Sequence, residues 1–377
     1  MLIVLLGAGN GLKNGTEKQF ADDAINSIWV NAGQTSLEHD GLKPGRRIQF
    51  TNDDYELLRD MEGVDKISAR VNRWQGFVVQ FKNESSVFTI RGVHPDHKYV
   101  EKTIVIKGRY INQKDVDEKR KVAVLGQKVV DELMGDENAL GEWVNINGIP
   151  FQVVGVFKDE GNENENSIVF LPISSAQLTF KGRRNISQIL FTMNTEDLAF
   201  SKFMAEKTKN VLAEKHHFSP ADPRAVYVRN NYANFERFMK SINLIQLFIA
   251  VIGFMTIVAG IIGVSNIMII SVQERTKEIG IRKALGAKPL NIISMVVLES
   301  LFITSMFGYI GFVLGVFVLE TAAKFIPPEA TGFSNPTVNF EVAVSALILL
   351  VIAGTLAGLF PARKASRIRP IDALRDE

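Results

Sequence analysis

The chain has 377 residues, 46% apolar and 22% charged, with a formal net charge of +2 and no cysteine. Near-neutrality excludes a global electrostatic role on nucleic acid, and the absence of thiols excludes disulfides and thiol chemistry. The averages hide a split: residues up to about 240 read as a soluble domain, large enough for one big core or two lobes, and most of the rest reads as membrane.

Met1 to Leu12 is apolar but too short to span a bilayer, and it lacks the basic n-region and cleavage site of a signal peptide. It reads as the remnant of a first transmembrane helix whose beginning is missing. The glycines at Gly7, Gly9 and Gly11 suggest a phosphate loop. Leu12 and Asn14 break the Walker A pattern, and Leu12 breaks the dinucleotide fingerprint. A flexible exit from a membrane helix is the better reading. No Walker A motif appears elsewhere, so the chain itself is not expected to bind ATP.

A polar helix continues from Asn14 to Ala24, and Ser27–Ala32 and Arg46–Phe50 read as strands. Thr51 to Asp54 offers caps for a helix through Met61. Val64–Ala69, Phe77–Phe81 and Val87–Gly92 alternate as strands do. A second block follows: a strand at Val122–Leu125, a helix at Gln127–Met134, and strands at Glu142–Ile146 and Phe151–Val156 joined through Asn147-Gly148, a hairpin signal. A polar loop at Gly161–Asn166 follows. Strands at Val169–Leu171, Ile186–Met193 and Ala225–Val228 and an amphipathic helix at Asp197–Lys215 complete a two-lobed α/β domain over residues 13–241. His94 and His97, in His94-Pro-Asp96-His97, have no metal-ligand spacing partner among His39, His216 and His217, and read as solvated loop residues. No catalytic constellation stands out.

Three runs can each span a bilayer, at about 242–272, 290–322 and 338–360. Restoring the first helix gives an all-α bundle of four. Arg275, Lys277, Arg282, Lys283 and Lys288 outweigh Glu274 and Glu278 in the loop Gln273–Pro289, and the tail after Phe360 is also basic. The loop around Pro327 is nearly neutral. The positive-inside rule then puts the 273–289 loop and the tail in the cytoplasm and the large domain outside. Phe235, Phe238, Ile242, Ile245 and Ile249 recur at intervals of three and four, a stalk entering the membrane without a proline. Glu299 lies inside the second span, where a carboxylate needs a partner; Asn266 on the first span is the expected one. Ala259 and Gly263, Gly311 and Gly315, and Gly354 and Gly358 are small residues four apart that permit close helix packing or a dimer.

Glu274 to Lys283 holds good helix formers, Glu278 precedes Arg282 by four, and Gly286 and Pro289 can end the helix. A short amphipathic helix beneath the membrane results. Its cations could equally bind lipid head groups.

The pattern Glu274, Arg275, Glu278, Ile279, Gly280, Ala284, Leu285, Gly286, Ala287 resembles the cytoplasmic loop of the MacB/FtsX-type ABC transporter permeases. Pro361, Ala362, Ala365, Pro370, Ala373 and Leu374 resemble that family's C-terminal signature. Lys107-Gly108-Arg109, Val122 to Gly126, Ala139-Leu140-Gly141 and Val153 to Val156 resemble its MacB-like periplasmic core. The resemblance covers nearly the whole chain. It implies a non-enzymatic permease in a bacterial inner membrane, acting with a second permease copy or a homologue and with separate ABC ATPase subunits that carry the ATP and Mg. The loop would be the coupling helix held by the ATPase, and the stalk would carry motion to the outer domain for export or extraction of an envelope substrate. A periplasmic adaptor or an envelope hydrolase is a further implied partner. A mechanotransmitting scaffold that regulates a cell-wall hydrolase is the alternative role.

Overall fold

The computed structural model describes residues 1–21, 23–135, 137–159, 163–180, 184–325, 333 and 340–367. The Pro327 loop, the tail from Pro370 and part of the expected 161–166 loop lie outside them. The chain divides into two compact units, Lys18–Phe238, and Met1–Glu17 with Met239–Glu377.

In chain order the elements are α1 (Leu2–Ala21), β1 (Ser27–Ala32), β2 (Phe50–Thr51), α2 (Asn52–Arg59), β3 (Val64–Phe81), β4 (Glu84–Val93), α3 (His97–Val100), β5 (Ile104–Gly108), α4 (Gln113–Asp117), β6 (Val122–Gly126), α5 (Gln127–Leu133), β7 (Trp143–Ile146) and β8 (Ile149–Lys158). A 3₁₀ turn at Glu165–Ser167 precedes β9 (Ile168–Pro172), α6 (Ile173–Thr179), β10 (Asn185–Ile186), β11 (Gln188–Met193), α7 (Leu198–His216) and β12 (Val226–Asn230). The helices α8 (Asn231–Glu274), α9 (Thr276–Ala284), α10 (Pro289–Phe325) and α11 (Phe340–Ser366) follow.

The first unit is α/β. One mixed sheet runs β12-β1-β11-β3-β4-β9-β6-β8-β5, with β7 pairing β3 and β8. The two sequence blocks interleave: strands of the second block pair with β1 and β3 through β11, β12 and β7, and with β4 through the parallel β4–β9 pair. The hairpin between β7 and β8 forms as expected, with Asn147 and Gly148 at φ +47° and +87°, a turn whose twist suits the flanking strands. The expected strands at Val64–Ala69 and Phe77–Phe81 are one strand, β3. Register shifts near Trp74 let a continuous strand absorb the polar stretch between them. The larger apolar cluster packs Ile28, Val30, Ile67, Ala69, Ile90 and Phe191 against Leu58 of α2 and Met204 and Leu212 of α7. A smaller one gathers Val93, Tyr110, Val124, Phe157 and Phe170.

Polar residues pin the helices. The Asp54 carboxylate accepts from the Thr51 backbone N–H at 2.7 Å, the expected cap of α2. It also lies 2.8 Å from His216 Nε2 and 2.9 Å from Lys215 Nζ. Burial alone would push its pKa up; the hydrogen bonds from His216 and Lys215 overcome that and hold it at about 2.

The solvated reading of His94 and His97 is overturned, because both are buried. His94 stacks on Tyr55, and its Nδ1 accepts the Ala69 N–H at 3.1 Å. His97 Nε2 accepts from Arg70 Nε at 3.0 Å and lies 3.0 Å from Glu101. Glu101 also pairs with Arg70 and Arg91, and Arg91 reaches Glu165 at 2.7 Å. The two guanidiniums and two carboxylates balance, so this buried set needs no further ion. Sequence spacing misread the histidines because α3 folds back across β3 and β11.

In the second unit, α8, α10 and the Ala343–Ser366 part of α11 are each long and apolar enough to cross a membrane. Helix α1 meets α8 and α10 at two glycines: a Cβ on Gly9 would lie 3.0 Å from Ile249 Cδ1, and one on Gly315 3.2 Å from Ile3 Cβ. The α10–α11 pair is tighter. A Cβ on Gly354 would lie 2.4 Å from Thr304 Cγ2, and one on Gly358 2.6 Å from Ser300 Cβ. Ser300 Oγ donates to the Gly354 carbonyl at 3.0 Å across this contact. Gly263 and Gly311 face open space. Gly354→Val is therefore expected to lower the melting temperature of the detergent-solubilised protein, by an overpacking penalty of about 2 kcal/mol. Gly311→Val should leave it nearly unchanged; equal effects would overturn this account of the pair.

Candidate functional site

The expected amphipathic helix is α9. The chain leaves the helix at Arg275 (φ −98°, ψ 15°) between α8 and α9. Thr276 Oγ1 takes the carbonyls of Gln273 at 2.8 Å and Val272 at 3.1 Å, so the end of α8 is capped. At the other end Gly286 N donates to Lys283 O, and Ala287 N to Arg282 O, both at 3.0 Å, with Gly286 at φ +91°. This is a Schellman turn, which needs a residue at ease in the left-handed region. It explains the Ala284-Leu285-Gly286-Ala287 run in physical terms.

One face of α9 is anchored. Ile279 is buried with Met268 and Val272 of α8, Ile292 and Val296 of α10, and Ala362 and Ala365 of α11; Gly280 is buried beside it. Ala362 and Ala365 have no exposed surface, so the small residues after Pro361 serve to let α9 approach α11. Lys283 Nζ donates to the Ser366 carbonyl at 2.7 Å, a cation at the negative end of α11. Arg282 pairs with Glu278 at 2.6 Å, the expected i,i+4 contact, and places NH1 3.1 Å from Met295 Sδ.

The other face is open. Ile281 is half exposed and Leu285 is 84% exposed, with Glu274, Lys277, Glu278, Arg282, Ala284 and Lys288 also exposed. An apolar knob ringed by charges at a helix end is suited to docking in a groove.

The intramembrane pair differs from expectation. Glu299 hydrogen-bonds Arg275 NH1 at 3.1 Å, not Asn266, which is exposed. The two partners are 24 residues apart and on different helices, so no periodicity links them; only the need of Glu299 for a cation could have pointed to the basic loop. Along the stalk, Ile242 and Ile249 are buried, Phe235 is half-buried, and Phe238 and Ile245 are exposed. Among the described residues no cluster of three or more metal-ligating side chains is present.

The family model described as MacB-like periplasmic core domain matches residues 1–199, and that described as FtsX-like permease C-terminal matches residues 250–370. The macrolide export ATP-binding/permease protein MacB of Bdellovibrio bacteriovorus is 27% identical over 100% of this chain and 57% of its own length. The pyoverdine export ATP-binding/permease protein PvdT of Pseudomonas syringae pv. syringae is 29% identical over 100% of this chain and 55% of its own. The chain thus spans little more than half the length of these relatives. The crystal structure of the periplasmic region of MacB from Actinobacillus actinomycetemcomitans aligns with a TM-score of 0.47 and 19% identity, over 59% of this chain and 95% of that one.

Proposed function

From a chain that belongs to the MacB/FtsX-type ABC transporter permeases, with a MacB-like periplasmic core domain and an FtsX-like permease domain, we propose a permease subunit for export from the cell envelope, driven by an ATPase on a separate subunit. The α9 loop lies in the cytoplasm, the α/β unit lies outside, and the host membrane is the bacterial inner membrane. ATP and Mg stay on the ATPase, and this chain performs no catalysis. A second copy covers the face of α8 where Gly260 and Gly263 meet open space and Asn266 is exposed.

One observation carries the reading. Helix α9 buries Ile279 and Gly280 inward and leaves Ile281 and Leu285 outward. A lipid-facing helix would need cations around an apolar face lying flat. Here the apolar tip stands at the capped end of a helix that is itself held by α10 and α11. The relatives named above combine export with an ATP-binding part in one protein, which supports contact between α9 and such a part; its place on a separate subunit is our proposal.

Leu285→Asp tests it. The side chain is 84% exposed, so stability should change little. Co-purification of an ATP-binding chain with the full-length protein should fall at least tenfold, or about 1.4 kcal/mol. Undiminished co-purification would sink the docking role of α9. ATP hydrolysis by the purified chain alone would overturn the assignment of the motor to a separate subunit.

A further inference from the structure

We propose that Arg275 and Glu299 form a mechanical joint that converts displacement of α9 into displacement of α8, a positioning role that rests on the reading of α9 as the motor contact. Three observations place it. Arg275 is the residue at which α8 gives way to α9: its N–H donates to Ser271 O at 3.2 Å and its carbonyl accepts from Ile279 N at 3.0 Å, so one hydrogen bond holds it to each helix. Its guanidinium holds Glu299 on α10 at 3.1 Å, with Arg275 half exposed and Glu299 one-quarter exposed. The far end of α9 is tied to a different helix, by Lys283 to the α11 carbonyl of Ser366.

The two ties act differently. The Lys283 tie fixes α9 to α11. The Arg275 tie sits where α8, α9 and α10 meet, above the apolar cluster of Val272, Ile279, Ile292 and Val296. A push on the Leu285 end of α9 therefore turns the helix about Ile279 and loads the Arg275 end. With the ion pair intact, that load is borne by α10 and passed into α8, which continues unbroken to Asn231. Without it, the bend at Arg275, held by a single backbone hydrogen bond to each helix, takes up the rotation and α8 is not driven.

Simple charge neutralisation is the rival account. Glu299 lies ten residues past Pro289, about 15 Å along the helix, where an unpaired carboxylate is costly. On that account Glu299→Gln removes the charge at no functional loss, since Arg275, half exposed, can keep its head in water. The joint predicts a loss of motion instead.

The absence of cysteine allows clean labelling. Spin labels are placed at Tyr227→Cys in the outer domain and Val313→Cys on α10, both exposed in the chain. The full-length protein with its retained ATP-binding partner is reconstituted in nanodiscs, and the label-to-label distance is read with and without ATP. In Glu299→Gln the partner is retained and ATP is hydrolysed within twofold of the parent rate, but the ATP-dependent distance change falls at least fivefold. Glu299→Arg loses it as well, and the exchanged pair Arg275→Glu with Glu299→Arg recovers at least half. An unchanged distance response in Glu299→Gln overturns the joint while leaving the transport reading intact. Loss of the partner in Glu299→Gln also overturns it, by assigning the pair to assembly. Failure of the unmutated protein to retain any ATP-binding chain overturns both.

Discussion

Gly155→Ala is expected to yield an outer unit of sharply lowered stability. A Cβ at Gly155 would lie 2.1 Å from the carbonyl oxygen of Arg109, a distance at which one backbone must move. Arg109 is held on every side. Its N–H donates to Val154 O at 2.9 Å, and its guanidinium grips Asp115 at 2.5 and 3.0 Å. Asp115 in turn accepts from the Asn112 N–H at 3.0 Å and caps α4. Gly108 is equally confined: at φ +72°, its own Cβ would fall 2.4 Å from Val154 O and 2.6 Å from Leu140 Cδ2. The clash can be relieved only by unzipping β5 from β8, a loss of about 3 kcal/mol or more from a stability of roughly 5 to 15. Thermal melting and protease resistance of the purified protein read this directly. A variant that melts within about 2 °C of the parent would show that β5 and β8 part at little cost.

The second large effect is loss of stability in mild acid. Burial, reinforced for His94 by the Arg59 charge, lowers its pKa to about 3. Burial and the charges of Arg70 and Arg91 lower that of His97 well below its ordinary value. Both Nδ1 of His94 and Nε2 of His97 accept a hydrogen bond, which a protonated nitrogen could not do. In the unfolded chain both rings titrate near the usual value of about 6.5. Between there and the folded values, the unfolded state binds protons that the folded state refuses. The stabilisation is complete above pH 6.5 and shrinks as the pH falls. At pH 5, about one and a half units below 6.5, the His94 ring alone forfeits about 2 kcal/mol, and His97 acts in the same direction. Asp54 works in the same direction at lower pH: its carboxyl at about 2 contributes stability above pH 4 that is lost between 4 and 2. The melting temperature should thus drop steeply from pH 6.5 to pH 5, and His94→Gln should flatten the slope. A level profile from pH 7 to pH 5 would refute the neutral, buried state of these rings.

Short-range chemistry made much of this protein legible in its sequence. Asn147-Gly148 announced a hairpin because few residues tolerate two positive φ angles in succession. Thr51 and Asp54 announced a helix start because a carboxylate three residues on can reach back to the cap. The three spans followed from run length, and α9 from its charge spacing and its closing Gly286. What stayed hidden depends on partners remote in sequence. His94 and His97 looked solvated until β3, β11 and α3 enclosed them with Arg70 and Glu101. Glu299 needed a partner, and nothing local distinguished Asn266 from Arg275. The outer-domain runs around Gly108, Leu140 and Gly155 carried a family likeness, but their reason, three chain segments touching without room for a Cβ, exists only in three dimensions. The tie of Lys283 to the end of α11 likewise had no signal in the sequence.

The placement of β1 between β11 and β12 fixes an order of events in time. Val30 pairs with Ile189 on one side and Val228 on the other, so β1 waits for about 160 residues of later chain before one edge is covered and about 200 before both are. Throughout synthesis Ile28 and Val30 stand as an open, apolar edge of the kind that invites wrong pairing. Closure comes with β12, whose last residue, Asn230, directly precedes α8. The sheet is therefore completed by the same stretch of chain that begins α8, and a polypeptide interrupted before Val226 would leave one edge of β1 uncovered.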